Sequence, residues 1–191
     1  MEQSDLLKYA CRTLERLEVR YLVTGSQATI AYGEPRFTND IDIVADLQRQ
    51  NVVEFCAAFP DADYYLSRIA VDEAVADRGM FNVIHPASGL KIDVILPKQT
   101  PHDELRLRRG VRVAVDAEFK AIFTSPEDII LKKMQWHEMG GGERHLRDIA
   151  GVIKTQETKL DRRYIEEQAI ELGVVGLWHA VLATVEPRHD K

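Results

Sequence analysis

The stretch Tyr21–Val44, YLVTGSQATIAYGEPRFTNDIDIV, sets the reading of the whole chain. Its opening apolar run, Tyr21-Leu22-Val23, predicts a short buried strand. Gly25-Ser26 breaks that run, a helix-compatible segment follows from about Gln27 to Tyr32, and Gly33-Glu34-Pro35 is a turn signal. Asp40-Ile41-Asp42-Ile43-Val44 then predicts a second strand. Strand side chains alternate, so Asp40 and Asp42 leave the same face, roughly 6–7 Å apart along the chain. Two carboxylates on one face of an apolar strand repel each other and lose hydration. A cation between them removes both costs, and oxygen-only ligands point to Mg²⁺ or Mn²⁺ rather than zinc.

Gly25-Ser26 gives the carboxylate pair its meaning. A glycine at a strand-to-helix turn lets a phosphate approach the backbone, and a helix N-terminus offers N–H groups and a positive dipole end. The Ser26 hydroxyl is a further donor. An anion cradle beside a carboxylate metal site suits a metal-bound polyphosphate. With 13 residues between Ser26 and Asp40, the pattern resembles the signature of the DNA polymerase beta-like nucleotidyltransferase superfamily: glycine-serine, a short helix, Asp-x-Asp on the next strand, and a third carboxylate on a later one.

Composition bounds the alternatives. At 191 residues the chain suits one domain, or a core with a small helical appendage, and 45% hydrophobic content supplies a real core. No apolar run approaches the ~18 residues of a membrane span, and no signal-peptide pattern opens the chain, so a cytoplasmic protein is expected. Cys11 and Cys56 stand in no metal-binding spacing and are read as reduced, buried thiols. A net charge of −6 argues against a broad nucleic-acid-binding surface. The basic cluster Arg106, Arg108, Arg109 and Arg112 is read as a solvated face rather than a nucleic-acid groove. The histidines show no metal-ligand spacing.

Along the chain, Ser4 can cap a first helix carrying Leu7, Cys11, Leu14 and Leu17. Val52, Val53, Cys56 and Phe59 mark a helix ended by Pro60. Residues 61–78 allow a short strand at Tyr64–Leu66 and then an acidic helix. Met80–Ile84 and Leu90–Leu96 predict a hairpin, and Val111–Val115 with Phe119–Phe123 another. Asp93 stands inside the apolar strand Leu90–Leu96, where an unpaired carboxylate is costly. Either it pairs with Lys91 or an arginine, or it is the third metal ligand; the resemblance implies the latter.

From Ser125 the chain turns helical. Ser125-Pro126-Glu127-Asp128 is a capping box with proline at the first helical position. Lys133 falls on the apolar stripe behind it, either snorkelling to solvent or reaching phosphates, while Lys132 points elsewhere. Gly140-Gly141-Gly142 ends this helix and is the one hinge candidate. Further helices are expected from Glu143, at about Asp161–Leu172 and at Val174–Val185. The run SPEDIILKKMQWHEMGGGERHLRDIAGVI is similar to the region after the catalytic sheet in small prokaryotic nucleotidyltransferase-fold proteins, including relatives of abortive-infection toxins. Lys133 matches their lysine and Asp148 the last aspartate of a basic-Asp-x-x-Asp element, but His145 stands where the toxin relatives often carry aspartate.

The resemblance implies an α/β (α+β) nucleotidyltransferase fold, a mixed β-sheet flanked by helices with a C-terminal helical extension. It divides the chain into a catalytic core at 1–124 and a helical region at 125–191. It implies nucleotidyl transfer from a nucleoside triphosphate to a hydroxyl of RNA, protein or a small molecule, with Mg²⁺ or Mn²⁺ held by Asp40, Asp42 and Asp93. Gly25, Ser26 and Lys133 would hold phosphates, Asp148 would hold Lys133, and Arg36 and Thr38 lie where a triphosphate or base could be met. A toxin–antitoxin setting with a partner protein is one context. The alternative is a catalytically silent nucleotide-binding or interaction module on the same fold.

Overall fold

The structure, a computed structural model, describes residues 1–185. In chain order its elements are α1 (Gln3–Arg16), β1 (Tyr21–Thr24), α2 (Gly25–Tyr32), β2 (Asp40–Ala45), α3 (Val52–Ala57), α4 (Arg68–Asp77), β3 (Met80–His85), β4 (Leu90–Ile95), α5 (Pro101–Arg108), β5 (Val111–Ala114), β6 (Lys120–Phe123), α6 (Pro126–Glu138), α7 (Glu143–Gln156), α8 (Arg162–Glu171) and α9 (Val175–Val185). They form two compact units. The first contains residues 1–27 and 37–124; the second contains 28–36 and the described residues from 125 to 185.

The first unit is built on a six-stranded sheet in the order β3-β4-β2-β1-β6-β5. It is mixed: β1 runs antiparallel to β2 and parallel to β6, while β2 runs parallel to β4. Both predicted hairpins form, β3 with β4 and β5 with β6. The alternation read from the sequence gives the central strands two faces. Ile41, Ile43, Ile92 and Val94 are buried on one face. Helix α1 lies against β2 and β4 and contributes Leu6, Leu7, Ala10, Cys11 and Leu14 to the core. The other face carries the carboxylates.

Several local expectations change. Helix α1 begins at Gln3, one residue before Ser4, and the Glu2 N–H donates to Asp5 Oδ2 at 3.2 Å, so Glu2 and Asp5 form the cap. The strand expected at Tyr64–Leu66 is a single bridge, Tyr65 to Ile84. The acidic helix is α4, capped by Ser67 accepting from the Ala70 N–H at 3.3 Å. Cys11 is buried, but Cys56 is only half-buried. The arginine cluster divides: Arg106 is buried, with Nη1 3.3 Å from Asp103 Oδ1, whereas Arg108 and Arg112 are exposed.

In the second unit α6 packs on α7 and α8, and α9 on α7 and α8. Ile129, Ile130, Met134, Ile149, Val152, Ile153, Ile165 and Trp178 are among its buried side chains. Ser125 caps α6 as read, accepting from the Asp128 N–H at 3.1 Å. The triple glycine makes a tight turn. A Cβ on Gly141 would stand 2.4 Å from the Trp136 carbonyl oxygen, and Gly142 takes φ +73°. Lys132 is half-buried.

Candidate active site

Strand register assembles the carboxylates. Asp42 faces Asp93 directly across the parallel β2–β4 pair, and Asp40 faces Lys91. Thr24 faces Asp42 on β1, and Asn82 faces Asp93 on β3. Thr24, Asp42, Asp93 and Asn82 thus form one row across four strands, with Asp40 and Lys91 in the row beside it. Side chains directly opposite share a face at ~5 Å, so Asp40, Asp42 and Asp93 point to the same side.

The Gly25-Ser26 turn is joined to this row. Gly25 has φ +58°, a left-handed conformation that glycine adopts without strain, and a Cβ there would stand 2.0 Å from Asp42 Oδ2. The Ser26 backbone N–H donates to the Asp42 carboxylate. That N–H ties the turn to the carboxylate row, and Ser26 itself is buried. Burial pushes the Asp42 carboxyl above the usual carboxylate range, the Asp93 and Asp40 charges add to this, and the Ser26 N–H and Lys91 oppose it.

Lys91 brings a positive charge to the row. Its Nζ lies 3.0 Å from Asp93 Oδ2 and 4.0 Å from Asp40 Oδ1. The hydrogen bond to Asp93 raises the ammonium above its ordinary value. The Asn82 amide donates to the other oxygen, Asp93 Oδ1. Three carboxylates with no nitrogen or sulfur donor fit a hard divalent cation such as Mg²⁺ or Mn²⁺. Among the described residues no three acidic, histidine or cysteine side chains close around a common point.

In the second unit Arg36, Lys133 and Asp148 come together. Lys133 Nζ lies 2.6 Å from Asp148 Oδ2, and Arg36 Nε 3.3 Å from Asp148 Oδ1. Lys133 and Asp148 are both buried. Burial would raise the Asp148 carboxyl, but the Lys133 hydrogen bond and the Lys133 and Arg36 charges outweigh it and hold the group low. Burial also lowers Lys133, with Arg36 and Arg144 pushing the same way against Asp148. The pair is an ion pair all the same, because a carboxylate within 2.6 Å of the ammonium and held by a second cation stays ionised. Thr38 lies in the first unit, where its carbonyl accepts from Gln3 Nε2 at 3.0 Å.

Lys91 and Asn82 are the residues the sequence undervalued. Lys91 stood only as a possible salt-bridge partner. Asn82 follows once His85 and Leu90 are paired at the hairpin turn, because counting back along both strands sets Asn82 against Asp93.

No protein-family model matches the chain, and no curated protein does. Solved structures do share its fold. A nucleotidyltransferase-like protein from Paracoccidioides brasiliensis superposes with a TM-score of 0.55 at 17% identity, covering 97% of this chain and 96% of that one. The antibiotic-resistance factor ANT(2'')-Ia, in complex with adenylyl-2''-tobramycin, gives 0.59 at 12% identity over 90% and 97% of the two chains. Lincomycin-bound LnuA, a lincosamide antibiotic adenylyltransferase, gives 0.54 at 15% identity over 80% and 96%. The six-stranded mixed sheet flanked by helices is the nucleotidyltransferase fold.

Proposed function

We propose that the chain transfers a nucleoside monophosphate from a nucleoside triphosphate to an acceptor hydroxyl. One observation carries this reading: the glycine-serine turn is bonded to a carboxylate that faces a second carboxylate across adjacent strands. Asp40, Asp42 and Asp93 would hold the divalent cation, which when bound acidifies the acceptor hydroxyl and neutralises charge on pyrophosphate. Asp93 would also orient that hydroxyl or accept its proton. The acceptor oxygen bonds to the α-phosphorus as the bond to pyrophosphate breaks. The Ser26 hydroxyl donates to the leaving phosphates at the turn that Gly25 opens. Lys133, oriented by Asp148 and flanked by Arg36, is a second phosphate-binding element; Thr38 is assigned a nucleotide contact.

The acceptor is a hydroxyl of RNA, protein or a small molecule. Two fold neighbours were solved with an antibiotic or its adenylyl product, which favours testing small molecules first. A toxin–antitoxin setting, with a partner protein, rests on the resemblance of the α6–α7 region alone. No described helix is long and apolar enough to cross a membrane; the cytoplasmic location is proposed from the sequence alone. The second reading, a silent nucleotide-binding module, is favoured by the ammonium beside Asp93.

The deciding experiment incubates the full chain with labelled nucleoside triphosphates, Mg²⁺ and panels of acceptors. Pyrophosphate release that is lost in Asp42→Asn and Asp93→Asn supports transfer. Nucleotide binding by the native chain without pyrophosphate release on any panel supports the silent module.

A further inference from the structure

We propose that Lys91 is a resident counter-cation of the carboxylate site, its ammonium holding the place beside Asp93 and Asp40 that a divalent ion must take. This rests on reading Asp40, Asp42 and Asp93 as metal ligands. Register puts Lys91 directly opposite Asp40 and two residues from Asp93, so its side chain rises from the carboxylate face. The ammonium lies 3.0 Å from Asp93 Oδ2 and 4.0 Å from Asp40 Oδ1.

Both oxygens of Asp93 are therefore engaged, Oδ1 by the Asn82 amide and Oδ2 by Lys91. The two partners differ in what they can give up. Asn82 is a short side chain on the neighbouring strand, and it fixes the plane of the carboxylate. Lys91 has a flexible stem and a side chain 37% exposed, against 14% for Asp93. It can withdraw into water with its charge solvated, leaving Oδ2 presented and the Asn82 contact in place. Three carboxylates and one ammonium leave the cluster with a net negative charge. A tethered single charge keeps the cluster together without a metal, and a divalent ion can outcompete it at the same oxygen.

The test titrates Mn²⁺ into the full native chain and into Lys91→Met and Lys91→Arg, reading free Mn²⁺ by electron paramagnetic resonance. Lys91→Met, which removes the competitor, should bind Mn²⁺ roughly tenfold more tightly. Lys91→Arg, whose planar fork grips a carboxylate in two places, should bind it several-fold more weakly than the native chain. Thermal melts add a second reading: in chelator Lys91→Met should melt below the native chain, and saturating Mn²⁺ should raise its midpoint by the larger amount. Equal Mn²⁺ affinity in all three chains overturns the counter-cation role while leaving the metal site standing. No Mn²⁺ uptake by any of them overturns the metal reading of the carboxylates, and this role with it. Should Lys91→Met not fold, the arginine comparison decides alone.

Discussion

Gly25 and Asp42 share one space: the Asp42 carboxylate fills the position that a side chain at Gly25 would need, 2.0 Å from where a Cβ would be. The two conditions, left-handed backbone and a blocked Cβ, act together at one residue. Gly25→Ala should cost roughly 1–2 kcal/mol of stability from the backbone alone. It should also push Asp42 out of its row and abolish pyrophosphate release. A melt and a turnover assay on the same preparation check both halves.

Ser26→Ala separates the hydroxyl from the backbone. The N–H that binds Asp42 is retained, so folding should change little. Nucleotide affinity should fall by roughly 1–2 kcal/mol, the worth of one hydrogen bond to a charged group. Unchanged affinity by calorimetry would remove the hydroxyl from the phosphate site.

The Asp42 carboxyl is raised by burial and by its acidic neighbours, so its ionised form is disfavoured in the folded chain. A group of this kind contributes stability below its unfolded value, lost as pH rises through the folded one. Asp42→Asn should therefore be more stable than the native chain at pH 7, with the gain disappearing below about pH 4, where the unfolded carboxyl is protonated. Denaturant midpoints measured in chelator across that range test the sign.

Asp148 behaves in the opposite way. Lys133 and Arg36 hold it ionised below the usual range, so its contribution is complete above about pH 4 and is lost as acid protonates it in the folded state. Asp148→Asn should cost on the order of 3 kcal/mol at neutral pH, because it leaves the buried Lys133 ammonium beside Arg36 without a carboxylate. Lys133→Met should cost less, since Arg36 still pairs with Asp148. It should weaken triphosphate binding more than monophosphate binding; equal weakening would make Lys133 purely structural.

The Cys11 thiol is buried and pushed up to about 12. It should stay unreactive towards thiol reagents at pH 8 in the folded chain and become labelled at the unfolding rate. Half-buried Cys56 should be labelled first.

The parts of the fold legible in the sequence are those fixed by neighbours in the chain. The Gly25-Ser26 break, the Asp40–Val44 alternation, the hairpin ending at Asp93 and the Ser125 cap each need only a few residues to be recognised. Helix α5 carries the same start signal, Thr100-Pro101 with Thr100 accepting from the Asp103 N–H at 3.1 Å, but its short, arginine-rich body has no clear apolar stripe. The resemblance brings Asp93 to the site of Asp40 and Asp42, but the register of β2 with β4 is not fixed by neighbours in the chain. It joins distant segments in parallel, a pairing that no short stretch of sequence signals. That register makes Lys91, a possible partner of Asp93 from the sequence, a neighbour of Asp40 as well.

The same pairing makes the site a checkpoint on assembly. If β4 slipped by one residue against β2, its alternating side chains would change faces. Lys91 and Asp93 would turn into the apolar layer that now holds Ile92 and Val94, and those two would face water. Placing two charges in a core is costly enough to reject that arrangement during folding. The polar row that would do the chemistry is thus also a proofreading element of the sheet. Replacing the row with apolar residues for stability would remove the penalty that keeps the strands aligned.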